Sequence, residues 1–578
     1  MLTIDLTQSS LNPELSTLFN EICFSNRKRF NQLVKETSMP FKYKLDWWVS
    51  NPPSRNTLNS SLFQYFCQVQ LIIKLLSNDK DIAEIIVDSS ALKIVLRQLP
   101  GISDTKISVR EAGLFYTLKN FILFFRFISN QCFDKLFRQI VFIIFFKGKP
   151  ISQTQPITLI GTYSMPGYYA KDRYYNGLWD LLNDKEKKNI FFVPTIVTTS
   201  MKKIYSVYIE LINSERQFLF KETYLKFSDL FYAILHPVRI QFVKVKSAVV
   251  DGIDYSHLIN SDLHNRKGYG LAIEGLINYR FIKRLNGKGV KINSIVNWWE
   301  NLALDKGLHK ALNNYYPDVL TTGYLGFPPS KFHLQLYPTV YELDNHIIPK
   351  KIAVFGKGFV DELKIFNSTH DVLLAPAFRF QHLWDGKPYA PDPKYYTILI
   401  TLPITLNDSK HILRMVNSCL NSLTTDLLRI WVKPHPTMFK QRLKNELDIK
   451  WQDNFKFIDI DTEIQDALRK ADILVSGGLS SCCLEAMALG IPVIIVKESQ
   501  GLQYNPIIDK FEQDLWKQCS SSQDILAGIE YYRKRDKEKL ARHHQLGLQI
   551  RETYFEPVTR EGVLKFLSIK GDSIFAES

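Results

Sequence analysis

Cysteine is scarce in this chain, and its few copies are not arranged to bind a metal. Seven cysteines are scattered over 578 residues, and only Cys482 and Cys483 are adjacent. The paired spacings typical of zinc sites and of disulfide frameworks are absent. A chain of this length buries two or three complete cores without disulfides or metals. We therefore expect two to three domains in a reducing compartment, with no metal site and no bound cofactor.

The sequence also lacks an apolar run of the roughly 18 residues that a membrane-spanning helix needs. Its first residues show no basic stretch followed by an apolar core, so we predict no export signal. Residues 112–150 contain two shorter apolar runs, 121–125 and 140–146. The basic residues around these runs are Lys119, Arg126, Lys135, Arg138, Lys147 and Lys149.

This combination predicts a basic apolar insertion that contacts an anionic membrane surface. Interleaved cations favour a position in the headgroup layer over a buried span. The alternative is that the two runs are buried helices or strands with lysine and arginine at their rims.

Acidic residues are outnumbered, since 58 Asp and Glu stand against 73 Lys and Arg, for a formal net charge of +15. Such an excess suits a polyanionic partner, which is a nucleic acid, an anionic lipid or a charged glycan. No helix-turn-helix, zinc-finger or aromatic RNA-binding signature accompanies the charge, so we expect no nucleic-acid partner.

Two motifs fall where a parallel sheet would present an anion-binding edge. Residues 427–432 predict a strand that runs into Lys433, Pro434, His435 and Pro436, where the prolines prevent a helix and hold a cation and an imidazole at the strand end. That end of the strand carries ligands in open α/β sheets.

The second motif is Ser-Gly-Gly-Leu-Ser-Ser at residues 476–481. Ser476 follows a strand predicted at 472–475, and Gly477 and Gly478 permit close backbone approach. Ser480 and Ser481 are expected to cap the next helix and point hydroxyls at a phosphate.

Glu485 lies one turn into that helix. It follows Ser481 by four residues rather than three, so it is not placed for a capping box and is available to a ribose. Each motif alone is ordinary turn or helix-start chemistry. Their order and spacing together favour a nucleotide site.

The C-terminal half, about residues 350–510, resembles two-domain GT-B glycosyltransferases, especially bacterial surface-polysaccharide enzymes that use cytidine nucleotides. The resemblance implies that His435-Pro436 and Ser480-Ser481 contact the phosphate of a CMP-sugar, such as a Kdo or sialic-acid-like donor, with Lys433 adding a second positive charge. It also implies a glycan or lipid-linked acceptor, a metal-independent reaction and C-terminal helices that cross back onto the N-terminal domain. The implied location is cytoplasmic, peripheral on the inner membrane.

Three earlier segments are similar to bacterial surface carbohydrate biosynthesis proteins. They are Trp-Trp-Glu-Asn at 298–301, Gly-Tyr-Leu-Gly-Phe-Pro at 323–328 and Ala-Pro-Ala-Phe-Arg at 375–379. Arg379 is expected in the second domain near the cleft, where it would pair with a substrate carboxylate or phosphate unless it is an ordinary surface arginine.

The alternation of strands and helices predicts an α/β protein with two Rossmann-like domains and a deep cleft between them. We expect an irregular lead-in at 1–60, an N-terminal acceptor domain at 61–345 that contains the 112–150 insertion, and a C-terminal nucleotide-sugar domain at 346–578. The N-terminal domain is predicted to begin with a strand at 82–87, and to include helical stretches at 178–183 and 302–312.

Two carboxylates are candidates for the general base that an inverting transfer requires. Glu300 follows the strand-like stretch 295–298 and precedes a helix, so it would stand at a ligand-facing strand end; a glutamate that merely favours the helix dipole is the alternative. Glu274, before Gly275, matches part of an acidic-acidic-glycine motif of bacterial sialyltransferases, but Ile273 replaces the first acid and the surroundings look helical.

Other functions remain open at this point. The stretch 476–479, Glu485 and the Gly-Ile-Pro-Val at 490–493 also match the pattern of UDP-N-acetylglucosamine 2-epimerases, although an N-terminal Gly-x-Arg-Pro-Glu motif is missing. A phosphotransferase that uses CDP-polyols and a non-catalytic scaffold that binds glycan or membrane are the further alternatives.

Overall fold

The computed structural model describes residues 2–569. The residues outside the description within this span are 8–10, 79, 111–113, 149–150, 152–154, 170, 198–199, 387–388, 390, 421–426, 436–454, 459–461, 499–500, 508–510, 512–513 and 535. The side chains of residues 114–118, 420 and 455 also lie outside it.

Three parallel sheets form the framework. Their strands are, in chain order, β1 Leu2–Asp5, β2 Ile82–Val87, β3 Lys106–Val109, β4 Ile157–Ser164, β5 Ile190–Ile196, β8 Ile292–Trp298, β9 Leu320–Leu325, β10 Lys351–Val354, β11 Asp371–Leu374, β12 Tyr396–Thr401, β13 Leu428–Lys433, β14 Phe455–Phe457, β15 Ile473–Gly477, β16 Val493–Val496 and β17 Trp516–Cys519. Two short strands, β6 Val249–Val250 and β7 Ile253–Asp254, pair antiparallel.

The strand orders identify two doubly wound sheets. The N-terminal sheet runs β11-β10-β9-β8-β4-β5, the C-terminal sheet runs β14-β13-β12-β15-β16-β17, and a small sheet runs β1-β2-β3. The C-terminal order corresponds to 3-2-1-4-5-6 within its own domain, which is the Rossmann order. The predicted fold class, α/β with two Rossmann-like domains, is confirmed.

Helices cover the sheets and fill the connections. They are α1 Pro13–Ser38, α2 Leu45–Trp48, α3 Asn51–Ser54, α4 Leu62–Ser77, α5 Ser90–Leu96, α6 Leu114–Phe145, α7 Asp184–Lys187, α8 Ile204–Ile212, α9 Phe227–Ile234, α10 His236–Arg239, α11 Ser256–Leu263, α12 Tyr269–Gly287, α13 Ala303–Tyr315, α14 Val340–Asp344, α15 Leu406–Leu420, α16 Ile464–Leu468, α17 Cys482–Ala488, α18 Ser522–Arg533, α19 Lys537–Tyr554 and α20 Arg560–Leu567. In the described ranges, no helix has the length and apolar character needed to cross a membrane.

The predicted irregular lead-in is wrong. Residues 13–38 form one long helix, which begins with Asn12 accepting from the Leu15 backbone N–H at 2.8 Å and buries an apolar face that includes Phe19 and Phe30. The predicted strand at 82–87 exists, but it pairs with β1 and β3 in the small sheet instead of opening the N-terminal Rossmann sheet. The sequence shows where this strand lies but not which strands it pairs with.

The domain boundary also differs from the prediction near residue 345. Strands β10 and β11 follow that point, yet both belong to the N-terminal sheet, where Ile352 of β10 pairs with Gly323 of β9. The C-terminal sheet begins only at β12. Fully buried strands of two parallel sheets read alike in sequence, so the change of sheet leaves no signal. Residues 178–183, predicted helical, form a turn after Gly177, whose φ is +77°.

Two glycines in the N-terminal sheet make room for two tryptophans. A Cβ on Gly323 would lie 2.7 Å from the Trp299 ring, and one on Gly326 would lie 2.3 Å from the Trp298 ring. The segments 298–301 and 323–328 therefore pack against each other. The glycines at and after β9 leave the space that the indoles of Trp298 and Trp299 fill.

A buried ionic network fixes the loop after β8. Arg55 Nη2 and Lys306 Nζ each donate to the carboxylate of Glu342 at 2.6 Å, and all three side chains are fully buried. Asn301, in the left-handed region at φ +53°, donates through Nδ2 to Glu342 at 3.1 Å and accepts from Lys306 at 3.1 Å. Although burial alone would raise the pKa of Glu342, the charges of Arg55 and Lys306 lower it to about 2.

The C-terminal helices cross back onto the N-terminal sheet, as the resemblance implies. After α19, the Glu556 backbone N–H donates to the Phe355 carbonyl at 2.7 Å, and the Ala377 N–H donates to the Glu556 carbonyl at 2.8 Å. Gly356 is required here, because a Cβ would lie 2.3 Å from the Tyr554 backbone. These bonds hold the two domains in one arrangement.

We expect Glu342→Gln to lower the free energy of unfolding by about 3–5 kcal/mol, because two buried cations lose their carboxylate. Urea denaturation followed by circular dichroism measures the change. Glu21→Gln, an exposed glutamate on α1, is the matched control and should change stability by less than about 0.5 kcal/mol.

The effect of Glu342 should depend on pH. Its folded pKa lies below its ordinary value of 4.5, so its contribution is complete above pH 4.5 and is lost as pH falls toward about 2. The stability difference between the wild type and Glu342→Gln should shrink over that interval. A difference that is constant with pH would show that Glu342 does not carry the charge in the folded state.

Candidate active site between the two sheets

Both Rossmann-like sheets have a switch point. There, two neighbouring strands are connected to strands on opposite sides of the sheet. In the N-terminal sheet it lies between β4 and β8, and in the C-terminal sheet between β12 and β15. Ligands of open parallel sheets bind outside the carboxyl ends of such strands. The loop with Glu300 follows β8, and the Ser476–Ser481 loop follows β15. Two predicted site segments therefore stand at the two switch points.

Arg173, in the loop after β4, belongs to the same region and was missed by the sequence reasoning. Its neighbour Asp172 accepts from the backbone N–H groups of Tyr174 and Tyr175 at 2.7 and 3.1 Å, and Arg216 donates to Asp172 at 2.7 Å. This buried anchor fixes the loop that carries Arg173. The available signal was the position of a basic, tyrosine-rich loop at the carboxyl end of a predicted strand.

Arg379 follows β11, so it belongs to the N-terminal domain and not to the second domain as predicted. Its guanidinium carbon lies 5.6 Å from the centroid of the Trp298 ring. Desolvation and the charge of Arg173 lower the pKa of Arg379, while Glu485 of the C-terminal domain opposes them. Within the part of the chain that the structure describes, neither Arg173 nor Arg379 forms a salt bridge with a carboxylate.

Glu300 lies at the carboxyl end of β8, as predicted from its position after the strand. The Trp298 indole Nε1 donates to its carboxylate at 2.8 Å. Burial raises the pKa of Glu300, opposed by that hydrogen bond and by the charge of Arg379. The side chain remains half-buried. A positioned carboxylate with a raised pKa is a suitable proton acceptor.

Glu274 has a different environment. It lies on α12 and forms a salt bridge with Lys135 of α6. Although burial alone would raise the pKa of Glu274, the charges of Lys135 and Lys221 lower it to about 2. A carboxylate engaged in this way is a weak proton acceptor, so the geometry favours Glu300 over Glu274 as the base.

The Lys-Pro-His-Pro turn follows β13 on the C-terminal side. Lys433 ends the strand and is buried, and His435 is half-buried. Desolvation and the charge of Arg173, which comes from the other domain, lower the pKa of His435 to about 4. The imidazole is therefore neutral at pH 7 in the free protein. Pro436 lies outside the described residues.

Hydrogen bonds and packing hold the Ser-Gly-Gly-Leu-Ser-Ser loop, and no serine side chain caps the helix that follows. Ser476 accepts from the Thr401 hydroxyl at 2.7 Å, and the Ser480 hydroxyl lies 2.7 Å from Cys482 Sγ. Ser481 is the residue before α17, but its dihedrals are helical and its side chain makes no capping hydrogen bond, so the predicted serine cap is wrong.

Gly478 is needed for a contact within the fold. A Cβ there would lie 1.8 Å from the Tyr504 carbonyl oxygen. Gly477 is less restricted, because its Cβ would meet Ile412 at 3.3 Å. The absence of a side chain at Gly478 therefore lets its backbone pack against the backbone of Tyr504.

Glu485 faces the N-terminal domain instead of capping its own helix. Its carboxylate lies 3.2 Å from Nε2 of His382, and it interacts electrostatically with Arg379. Neighbouring Tyr168 of the N-terminal domain interacts with Glu463 of the C-terminal domain. Residues from both domains therefore meet at this cleft.

The arrangement can bind an anion and accept a proton. Arg173 interacts electrostatically with Arg379 and with His435, and Arg379 also interacts with the carboxylate of Glu300. In the described ranges, no group of His, Cys, Asp and Glu side chains is placed to hold a metal ion.

Comparison with protein-family models gives no match, and neither does comparison with curated protein sequences. Solved structures with a similar fold include MurG from Acinetobacter baumannii, with a TM-score of 0.38, 10% identity and coverage of 72% of this chain and 99% of that chain. Spinosyn rhamnosyltransferase SpnG complexed with thymidine diphosphate has a TM-score of 0.41 and 10% identity, with coverage of 71% of this chain and 100% of that chain. MnaA from S. aureus with UDP has a TM-score of 0.40 and 10% identity, with coverage of 72% of this chain and 97% of that chain. These TM-scores lie below 0.5, and the functional argument therefore rests on this chain's own residues.

Proposed function

We propose that this chain is a glycosyltransferase that moves a sugar from a nucleotide-activated donor to a glycan acceptor. The observation that carries the proposal is the electrostatic contact of Arg173 with both Arg379 and His435, and of Arg379 with Glu300. These four residues follow strands of both sheets at their carboxyl ends. This proximity supports an anion site and a proton acceptor in one cleft.

The cationic side suits the phosphate of the donor. Two half-buried or buried guanidiniums that repel each other are costly to hold together without an anion between them. A phosphate offers that anion and matches the planar fork of arginine. When the bond between sugar and phosphate breaks, negative charge grows on the phosphate, and the same groups stabilise it more strongly.

His435 adds a proton-dependent contribution. Its pKa is low because it is desolvated and faces Arg173. A bound phosphate would supply the opposite charge and raise that pKa, so the imidazole can donate a hydrogen bond or take up a proton as the leaving group forms. Lys433 at the end of β13 contributes a further positive charge to this edge.

The acceptor side is assigned to Glu300. Its carboxylate would take the proton of the attacking hydroxyl while the Trp298 indole keeps its orientation. A base on the N-terminal domain and a phosphate site between the domains correspond to an inverting transfer.

The finer assignments come from the resemblance. We propose a CMP-sugar donor of the Kdo or sialic-acid-like type, because His435 and the serines Ser480 and Ser481 match the phosphate-contacting motifs of such enzymes. The proposed acceptor is a surface polysaccharide or lipid-linked glycan, which would be met at the cytoplasmic face of the inner membrane. Pro436 would contact the phosphate together with His435, Ser476 would support its loop, and Glu485 would hold the domains through His382.

We expect Arg173→Met and Arg379→Met each to weaken the binding of the donor nucleotide by about tenfold or more, because each removes a charged hydrogen-bond donor from the phosphate. Isothermal titration calorimetry with CMP and UDP measures the change. Arg542→Met is the matched control, since Arg542 is exposed and pairs with Asp514. Wild-type affinity in both cleft variants would remove the arginines from the site.

We expect Glu300→Gln to lower kcat for transfer by about 10²–10⁴-fold while the dissociation constant of the nucleotide changes by less than about twofold. Gln keeps an acceptor for the Trp298 indole but cannot take a proton. Mass spectrometry of the products, with a set of glycan acceptors, measures transfer. A comparable loss in Glu274→Gln with none in Glu300→Gln would move the role of base to Glu274, and an epimerised nucleotide-sugar without transfer would replace the proposal by an isomerase.

A further inference from the structure

The helix α6 exposes a long apolar face. Its exposed large apolar side chains are 44–61% accessible, and they are Phe121, Ile122, Phe125, Phe133, Ile140, Ile143, Ile144 and Phe145. One side of the helix carries residues spaced three or four apart, which are Ile122, Phe125, Ser129, Phe133, Leu136 and Ile140. The opposite side, with Gln139, Val141 and Phe142, is buried.

Two further helices expose apolar faces in the same way. On α8, Tyr205, Ile209 and Ile212 are exposed at spacings of four and three. From α9 onward, a second stripe at spacings of four, four, three and four consists of Phe227, Phe231, Leu235, Val238 and Phe242. Neither helix was part of the predicted insertion. Periodic exposure of large apolar residues on three elements exceeds the scattered exposure that a soluble surface shows.

Both helices pack against α6. The Phe145 ring of α6 lies 5.1 Å from the Tyr205 ring of α8. Gln139 of α6 donates to the Glu222 carbonyl at 2.8 Å, just before α9, and Leu136 packs in the same cluster as Leu230 of α9. The three helices therefore form one surface, here called the apolar platform.

Basic residues lie within and around the apolar platform, and on α6 Arg126 follows Ile122 by four residues on the exposed apolar side. The exposed basic residues of 119–148, 200–215 and 226–246 are Lys119, Arg126, Lys147, Lys202, Lys203, Lys226, Lys244 and Lys246. The exposed acidic residues of the same ranges are Glu210 and Glu215. An apolar surface with interspersed lysine and arginine is complementary to a layer of acyl chains beneath anionic headgroups, because these long side chains can reach the headgroups.

We propose that the apolar platform inserts into the headgroup layer of an anionic lipid bilayer. A second copy of this chain fits less well, because a symmetric contact through the same face would place the basic residues of the two copies against each other. The proposal does not rest on the transferase reaction. It extends the predicted membrane insertion from one segment to three helices with named lipid-facing residues.

The test is a vesicle flotation assay with the full chain. Phosphatidylcholine vesicles containing phosphatidylglycerol should bind the protein about tenfold or more tightly than phosphatidylcholine alone, and added salt should reduce the binding. The double variants Ile122→Ser with Ile144→Ser on α6, and Ile209→Ser with Ile212→Ser on α8, should each weaken binding about tenfold or more.

The matched control is Ile94→Ser with Ile365→Ser, two exposed isoleucines outside the platform, which should bind vesicles as the wild type does. Circular dichroism identifies any variant that fails to fold. For such a variant, Phe231→Ser with Phe242→Ser tests the third helix independently.

Three results would overturn the proposal. Equal binding to neutral and anionic vesicles would exclude recognition of anionic lipid. Loss of binding for the α6 variant with wild-type binding for the α8 and α9 variants would reduce the surface to one helix. A lipid-free dimer in analytical ultracentrifugation that the same substitutions dissociate would assign the face to a second copy of the chain. Nucleotide binding is unaffected by these outcomes, so they are independent of the transferase proposal.

Discussion

The geometry of the candidate site depends on one buried carboxylate, Glu342, which neutralises both Arg55 and Lys306. Asn301 hydrogen-bonds to the carboxylate and to Lys306 while its backbone takes a left-handed conformation. Glu300 is the preceding residue. Three charges removed from water are tolerated only when their partners are all in place, so the loop between β8 and α13 has one arrangement and presents Glu300 to the cleft.

Charged residues from the carboxyl edges of both sheets line the cleft. Each doubly wound sheet brings a switch point to its carboxyl edge, and the return of the chain from α19 onto Phe355 and Ala377 holds the edges together. The N-terminal domain contributes Arg173 and Arg379, whose charges meet His435 and Glu485 of the C-terminal domain. An anion bound there would contact both domains at once.

Local patterns predicted much of this structure, while long-range pairing was out of reach. The strand before Lys433 and the strand before Glu300 were visible as apolar runs followed by polar turns, and both lie close to their predicted places. The membership of β10 in the first sheet was not visible, and Arg379 was therefore assigned to the wrong domain. Arg173 was missed because its loop carries no motif, and only the fold brings it near His435.

The most direct test of the account compares the binding of CMP with that of cytidine by isothermal titration calorimetry on the wild-type protein. The phosphate is the part of the ligand that the two arginines and His435 would contact, so CMP should bind about 100-fold or more tightly than the nucleoside, with less advantage as salt is added. Equal affinities, or no binding of any nucleotide, would contradict the claim that the cleft between the two sheets is a nucleotide phosphate site.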